Sequence, residues 1–217
     1  MQYAILIDAG FIKYKLGTSS EPMTVLDVRA LVEKLSEHSA LKEHKLHRVY
    51  YYDAMPLTTK ETVPLSSTVK DFAANTVAKR SLDVINQIKK EPFFSVRLGE
   101  LSFEGWQIKQ SRLNTKSESI SISSDDLKPK ISQKGVDMRI GMDMASLTLK
   151  RIAQILVLVT GDSDFVPAMK FARREGAEVY IVTLGHKIKD SMLEHSDLLI
   201  DLDPVSIRNM ASKINAT

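Results

Sequence analysis

The chain has 217 residues, 43% of them hydrophobic and 26% charged, with a formal net charge of +3 and no cysteine. That length and balance suit a globular protein with a sizeable core, and the mild positive charge permits a nucleic-acid partner without demanding one. The missing cysteines exclude disulfides, thiolate metal sites and cysteine nucleophiles. Asp8 interrupts the only apolar N-terminal run, so no secretory signal peptide is expected. No segment approaches the roughly 20 apolar residues of a membrane helix, and a cytoplasmic location is the expectation.

Tyr3 to Ile7 is an apolar run closed by Asp8-Ala9-Gly10, which predicts a buried strand followed by a turn. Thr24 then caps a predicted helix over residues 25–38, with Val25, Val28, Leu31, Val32 and Leu35 on one face. Lys45 to Asp53 predicts a second strand, with Asp53 as its turn residue. Helical spacing follows over residues 66–90 and stops at Pro92. Phe93 to Leu98 predicts a third strand, and residues 101–103 and 106–108 a hairpin turning at Glu104-Gly105. A serine-rich stretch over 111–133 belongs to a polar surface insertion of about 101–133, in which Ile120 and Ile122 could form an edge strand.

Gly135-Val136-Asp137 opens the next predicted helix, carrying Ile140, Met144, Leu147 and Ile152. Ile155 to Val159 is an unbroken apolar run that ends in Thr160-Gly161-Asp162-Ser163-Asp164-Phe165, as a strand buried on both faces would. A helix over about 164–175, a strand over 178–183, a short helix near 187–195, a strand at 198–200 and a terminal helix over about 204–215 complete the pattern. Strands alternating with helices predict one α/β domain over residues 1–217, with a mainly parallel sheet flanked by helices.

The chemistry concentrates in aspartates at strand ends and helix starts: Asp8, Asp137, Asp162 and Asp164. If the strands at 3–7 and 155–159 are neighbours, Asp8 and Asp162 leave the same sheet edge about 5 Å apart. That is where open α/β sheets place ligands. Taken singly, each acid is explained well enough as a cap or turn former. Together they need a counter-charge, and hard carboxylate oxygens suit Mg²⁺ or Mn²⁺. Asp162 has no evident capping duty because Ser163 reads as the cap, whereas Asp164 is readily explained as a first-turn acid. Asp143, six residues after Asp137, lies roughly 240° round an ideal helix and is a secondary acid. Lys134 and Lys13, with Ser163, are the candidates for holding substrate. Lys15, Lys170, Arg173 and Arg174 leave the same edge, the last two reading as a solvated face. Trp106 with Arg112 and Lys116 could stack on and hold a single strand. The five histidines show no metal spacing, and neither a GxxxxGK[ST] loop, a GxGxxG fingerprint nor a GxSxG elbow is present.

Ile5-Leu6-Ile7-Asp8-Ala9-Gly10, Lys134-Gly135-Val136-Asp137 with Asp143 downstream, and Val159 to Phe165 resemble the NYN domain family, in particular its LabA-like branch. The resemblance spans roughly residues 3–202 and includes the Gly176-Ala177-Glu178-Val179 segment. It implies a PIN-like (Rossmannoid) fold and an acidic pocket holding Mg²⁺ or Mn²⁺ for RNA cleavage. Asp8, Asp137, Asp162 and Asp164 would be its metal-site acids and Asp143 secondary. Where many relatives carry Asn after the first strand, this chain has Phe11. The expected function is a metal-dependent ribonuclease. A non-catalytic RNA-binding or regulatory protein and a metal-dependent phosphatase or nucleotide hydrolase are the alternatives, and a homo-oligomer is compatible with the apolar 198–200 edge.

Overall fold

The computed structural model describes residues 1–115 and 117–215. In chain order the elements are β1 (Gln2–Asp8), α1 (Ala9–Leu16), α2 (Val25–Glu37), β2 (Lys45–Met55), β3 (Lys60–Thr62), β4 (Val69–Asp71) and α3 (Thr76–Ile88). They continue with β5 (Phe94–Ile108), α4 (Gln110–Leu113), β6 (Leu127–Lys134), α5 (Val136–Leu149), β7 (Ile155–Val159), α6 (Val166–Arg174), β8 (Glu178–Val182), α7 (Asp190–Glu194), β9 (Leu198–Ile200) and α8 (Pro204–Ile214). Seven strands form one sheet in the order β6-β5-β2-β1-β7-β8-β9, parallel throughout except for the β5–β6 pair. The short β3 and β4 pair antiparallel beside it. This is the expected α/β architecture, a mostly parallel sheet between helices.

β1 and β7 lie at the centre, and all five residues of β7 are fully buried. Covering both faces of a strand leaves no place for polar alternation, which is why the sequence there is continuously apolar. Each such Val, Leu or Ile contributes about 1.5–3 kcal/mol of burial. Alternate residues divide between two cores. Tyr3, Ile5 and Ile7 pack with Val157 and Val159 under α1, α2 and α8, whereas Ala4 and Leu6 pack with Leu156 and Leu158 under α5 and α6. At the α2 start, the Asp27 carboxylate accepts from the Thr24 N–H at 2.7 Å and hydroxyl at 2.8 Å, ordering the first turn.

Several local expectations differ from the structure. Residues 9–16 are helical, where only a turn at Asp8-Ala9-Gly10 was expected. Val69 belongs to a strand, and α3 starts only after the Asn75 cap, whose side chain accepts from the Val77 N–H at 2.9 Å. No hairpin turns at Glu104-Gly105. β5 runs through that point, with a register shift against β6 between Phe103 and Trp106 and Gly105 at φ +99, so the glycine serves a bulge. The hairpin is instead the one between β5 and β6, and Ile120 and Ile122 lie in its irregular connection, not in a strand. Asp53 is a strand residue, because pairing with β5 carries β2 on to Met55.

Candidate functional site

The chain order explains where the site is. From central β1 the chain builds outward through β2 and β5, then crosses back to place β7 on the other side of β1 and continues to β8 and β9. The sheet order therefore reverses between β1 and β7, and the crevice outside their carboxyl ends is where open α/β sheets bind ligands. Ile7 pairs with Val159 in the last rung, so Asp8 and Thr160 leave the sheet side by side.

A pocket of about 510 Å³ opens there, lined by Asp8, Asp137, Asp162 and Ser163 among others. Asp8 caps α1, its Oδ1 accepting from the Phe11 N–H at 3.3 Å, and its Oδ2 accepts from the buried Thr160 hydroxyl at 3.1 Å. The Asp162 N–H donates to Thr160 Oγ1 at 3.2 Å, so one hydroxyl ties the first acid to the backbone of the third. Asp137 arrives from the first turn of α5, entered through Gly135 at φ +78, a left-handed backbone that glycine adopts without strain. Asp162 does have a capping duty, contrary to expectation: its Oδ1 accepts from the Asp164 N–H at 2.9 Å.

The electrostatics agree with crowding. Burial pushes the Asp8 carboxyl above the ordinary range, the charge of Asp137 adds to this, and the Phe11 and Thr160 hydrogen bonds oppose it. Partial burial likewise raises Asp137, followed by the charges of Asp162 and Asp164. Asp164 acts on the site in this way without lining the pocket. Among the described residues, no three acids or histidines stand close enough to hold a metal ion directly between them. The donors are hard carboxylates spread around an open crevice. Such a set matches a cation that keeps several of its waters, as Mg²⁺ does.

The other candidates are engaged elsewhere. Asp143 accepts from the Tyr52 hydroxyl at 2.8 Å and from Arg97 Nε at 3.1 Å. Lys13 Nζ donates to both oxygens of Asp53, at 2.8 and 2.6 Å, and to Ser81 Oγ at 2.9 Å. Lys134 sits 3.5 Å from Glu104, whose carboxyl the Ser132 hydroxyl and then Lys130 hold down to about 2. Trp106 packs edge-on against Phe103, Arg112 pairs with Asp126 at 2.9 Å, and Lys116 lies outside the described residues.

In their place stand residues that the sequence pattern did not single out. After β8 the chain reverses through Leu184 at φ 48 and Gly185 at φ 69, closed by the His186 N–H on the Thr183 carbonyl at 2.8 Å. Leu184 is fully buried despite that backbone, a strain of about 1–3 kcal/mol in the range associated with functional sites. The turn carries His186, Lys187 and Lys189 to the pocket rim. Neither lysine makes an ion pair among the described residues. Gly161 lets this rim close: a Cβ there would lie 2.5 Å from His186 Cδ2 and 2.8 Å from Phe11 Cε2. Phe11 and His186 meet edge to face, with centroids 5.9 Å apart.

Comparisons with known proteins bear on the fold and the family. A crystal structure of a protein of unknown function from Vibrio parahaemolyticus matches over 93% of both chains, with a TM-score of 0.50 and 15% identity, and shares the fold. A Sir2 enzyme structure overlaps all of this chain and 94% of its own, but at 10% identity and a TM-score of 0.36 it bears on neither fold nor function. No curated protein matches the sequence. The model of the NYN domain matches residues 2–203, and the chain belongs to the NYN family of PIN-like nuclease domains.

Proposed function

We propose that this protein is a metal-dependent ribonuclease of the LabA-like branch, cleaving RNA phosphodiester bonds at the crevice between β1 and β7. The observation that carries this reading is the arrival of Asp8, Asp137 and Asp162 from three separate segments at one pocket, with two of them held above their ordinary ionisation range by burial and by one another. Structural caps alone do not call for that crowding, and perturbed acids in a crevice are a functional signature. Asp8, Asp137 and Asp162 would hold a hydrated Mg²⁺ or Mn²⁺ through its waters, with Asp164 completing the negative field. When bound, the ion would polarise the scissile phosphate and make a water acidic enough to attack it.

The chain's own groups have separable duties. Thr160 orients the Asp8 carboxylate and couples it to the Asp162 backbone. Lys187 and Lys189, without an ion pair among the described residues, offset at the rim the phosphate charge that the acids would otherwise repel. Ser163 can donate to a phosphate oxygen. Lys13 and Lys134 are tied to carboxylate partners and do not line the acidic pocket.

The test is cleavage of structured and unstructured RNA by the purified chain with Mn²⁺ or Mg²⁺, beside Asp8→Asn and Asp162→Asn. Loss of about 10²-fold or more in both variants, and no cleavage in EDTA, is the expected result. Unchanged cleavage in the variants would overturn the site. Release of inorganic phosphate from mononucleotides without internal RNA cleavage would favour a phosphatase.

A further inference from the structure

Beside the acidic pocket lies a second, smaller cavity of about 300 Å³, under the first turn of α3. The two adjoin, since Gly10 and Gln133 line both. Its walls are apolar: Pro56, Leu57, Phe72, Leu101 and Ile131. Val77 and Ile131 remain 67% and 42% exposed at its mouth. Lys13, Asp53, Asn75, Ser81 and Gln133 also line it, the first two paired with each other. Asn75 uses its carbonyl oxygen on the Val77 N–H, and its amide N–H groups have no partner among the described residues.

Beyond the Lys13–Ser81 contact the cleft continues into a third depression lined by Tyr14 and Arg80, which shares Lys13, Val77 and Ser81 with the slot. Tyr14 is 77% exposed, with Lys15 Nζ 5.8 Å from its ring centroid. Acids, an apolar slot, then an exposed aromatic ring with cations thus follow one another along a single track.

We propose that the slot holds one nucleobase of a single RNA strand, next to the nucleotide whose phosphate lies at the acidic pocket. This rests on the nuclease reading of that pocket. The chemistry favours a base over an apolar side chain or lipid. The slot adjoins the pocket for a phosphate, and its mainly apolar lining is accompanied by hydrogen-bonding groups on Asn75, Ser81 and Gln133. Single-strand recognition uses that combination, together with an exposed aromatic and cations further along. The slot limits the substrate to unpaired RNA at this position, because a base in a duplex cannot turn its face and edge into the wall.

The test is equilibrium binding of a fluorescently labelled oligouridylate to the full chain in EDTA, with the intact strand and with strands carrying one abasic residue at each position in turn. One abasic position should weaken binding roughly tenfold, the scale of one stacked base. Ala78→Trp, which fills the slot from half-buried α3 surface, should weaken the intact strand similarly and abolish that position's penalty. If Ala78→Trp loses its circular dichroism signature, Val77→Asp decides, because its position is largely exposed. Intact RNA binding to the folded slot variants as to wild type overturns the slot, as does the same abasic penalty in both or an absence of RNA binding to wild type. Slot-dependent binding without Mn²⁺-dependent cleavage leaves the slot standing and overturns the nuclease. Cleavage that the slot variants share in full does the reverse.

Discussion

Lys13→Met distinguishes a lysine that holds substrate from one that holds the fold. Lys13 Nζ lies 2.6 Å from Asp53 Oδ2, whose side chain is only 5% exposed, and also donates to Asp53 Oδ1 and Ser81 Oγ. Methionine keeps the stem's volume and removes the charge, while the Ala54 N–H still donates to Asp53 at 2.8 Å. Removing one partner of a buried pair costs about 3–5 kcal/mol because the other charge stays buried without compensation. Lys13 itself is 32% exposed, so water reaches the vacated end and about 2–3 kcal/mol is the better figure. For a chain of this size that corresponds to a fall in Tm of roughly 4–12 °C. Urea unfolding at neutral pH measures it, beside Asp53→Asn and the double variant. In the double variant most of the loss should be recovered, since no uncompensated charge remains. A Lys13→Met variant as stable as wild type that loses RNA affinity would refute this and restore the lysine to the substrate.

Three further outcomes follow from the pocket. Asp137→Asn should be more stable than wild type at pH 7: a carboxyl whose folded pKa is raised opposes folding when ionised, so the gain should shrink as pH falls through the raised value and vanish below the unfolded value of 3.8. Paired thermal melts across pH check the sign, and a gain that grows towards acid would contradict it. Thr160→Val, nearly isosteric at a fully buried site, removes the hydroxyl that donates to Asp8 at 3.1 Å and should cost about 1–3 kcal/mol. It should also carry the acid limb of the cleavage pH profile upward, because one of the bonds lowering the Asp8 pKa is gone. Gly161→Ala should cost about 1–3 kcal/mol, the usual range for overpacking, by forcing Phe11 and His186 apart. Proton NMR of the His186 ring reports that displacement, and an unshifted ring in a fully stable variant would argue against the contact.

What the chain reveals unaided follows from which forces act locally. Ile155–Val159 and Tyr3–Ile7 declare themselves because burial on both faces permits nothing but apolar residues. α1 was not read from the sequence, because Gly10 after Asp8 reads as a turn, although Ala9, Ile12 and Leu16 are buried at helical spacing behind the capping Asp8. The start of α3 carried its own signal in Asn75, which was masked by Val69 of β4 and Phe72 beyond it, whose positions continue the helical spacing by chance. Three acids of the pocket could be named because each closes a strand or opens a helix. The roles of Lys13 and Asp143 could not. Their partners, Asp53 and Arg97, are 40 and 46 residues away and are set by sheet order. His186, Lys187 and Lys189 reach the pocket only because β8 lies next to β7 and Leu184 accepts a left-handed backbone. Residue spacing carries no trace of either.

The same sheet order explains why the acids tolerate one another. Asp8 and Asp162 are each committed locally, one capping α1 and the other the turn before α6, and each cap holds its carboxylate at the switch point regardless of what the others do. Burial, and then the charges of Asp162 and Asp164, raise Asp137, and Asp162 cannot move away from it without breaking its cap, just as Asp8 cannot move without breaking its cap and its tie to Thr160. A fold that could relax would spread the charges, whereas this one keeps them together and leaves relief to something that binds. It follows that a divalent cation should stabilise the folded chain by the linkage expected for a ligand of the native state. Neutralising a single acid should then produce two opposite effects in one protein: higher stability without the ion, and less stabilisation when the ion is added. A structural cap offers no reason for that pairing of signs, and an acidic binding pocket requires it.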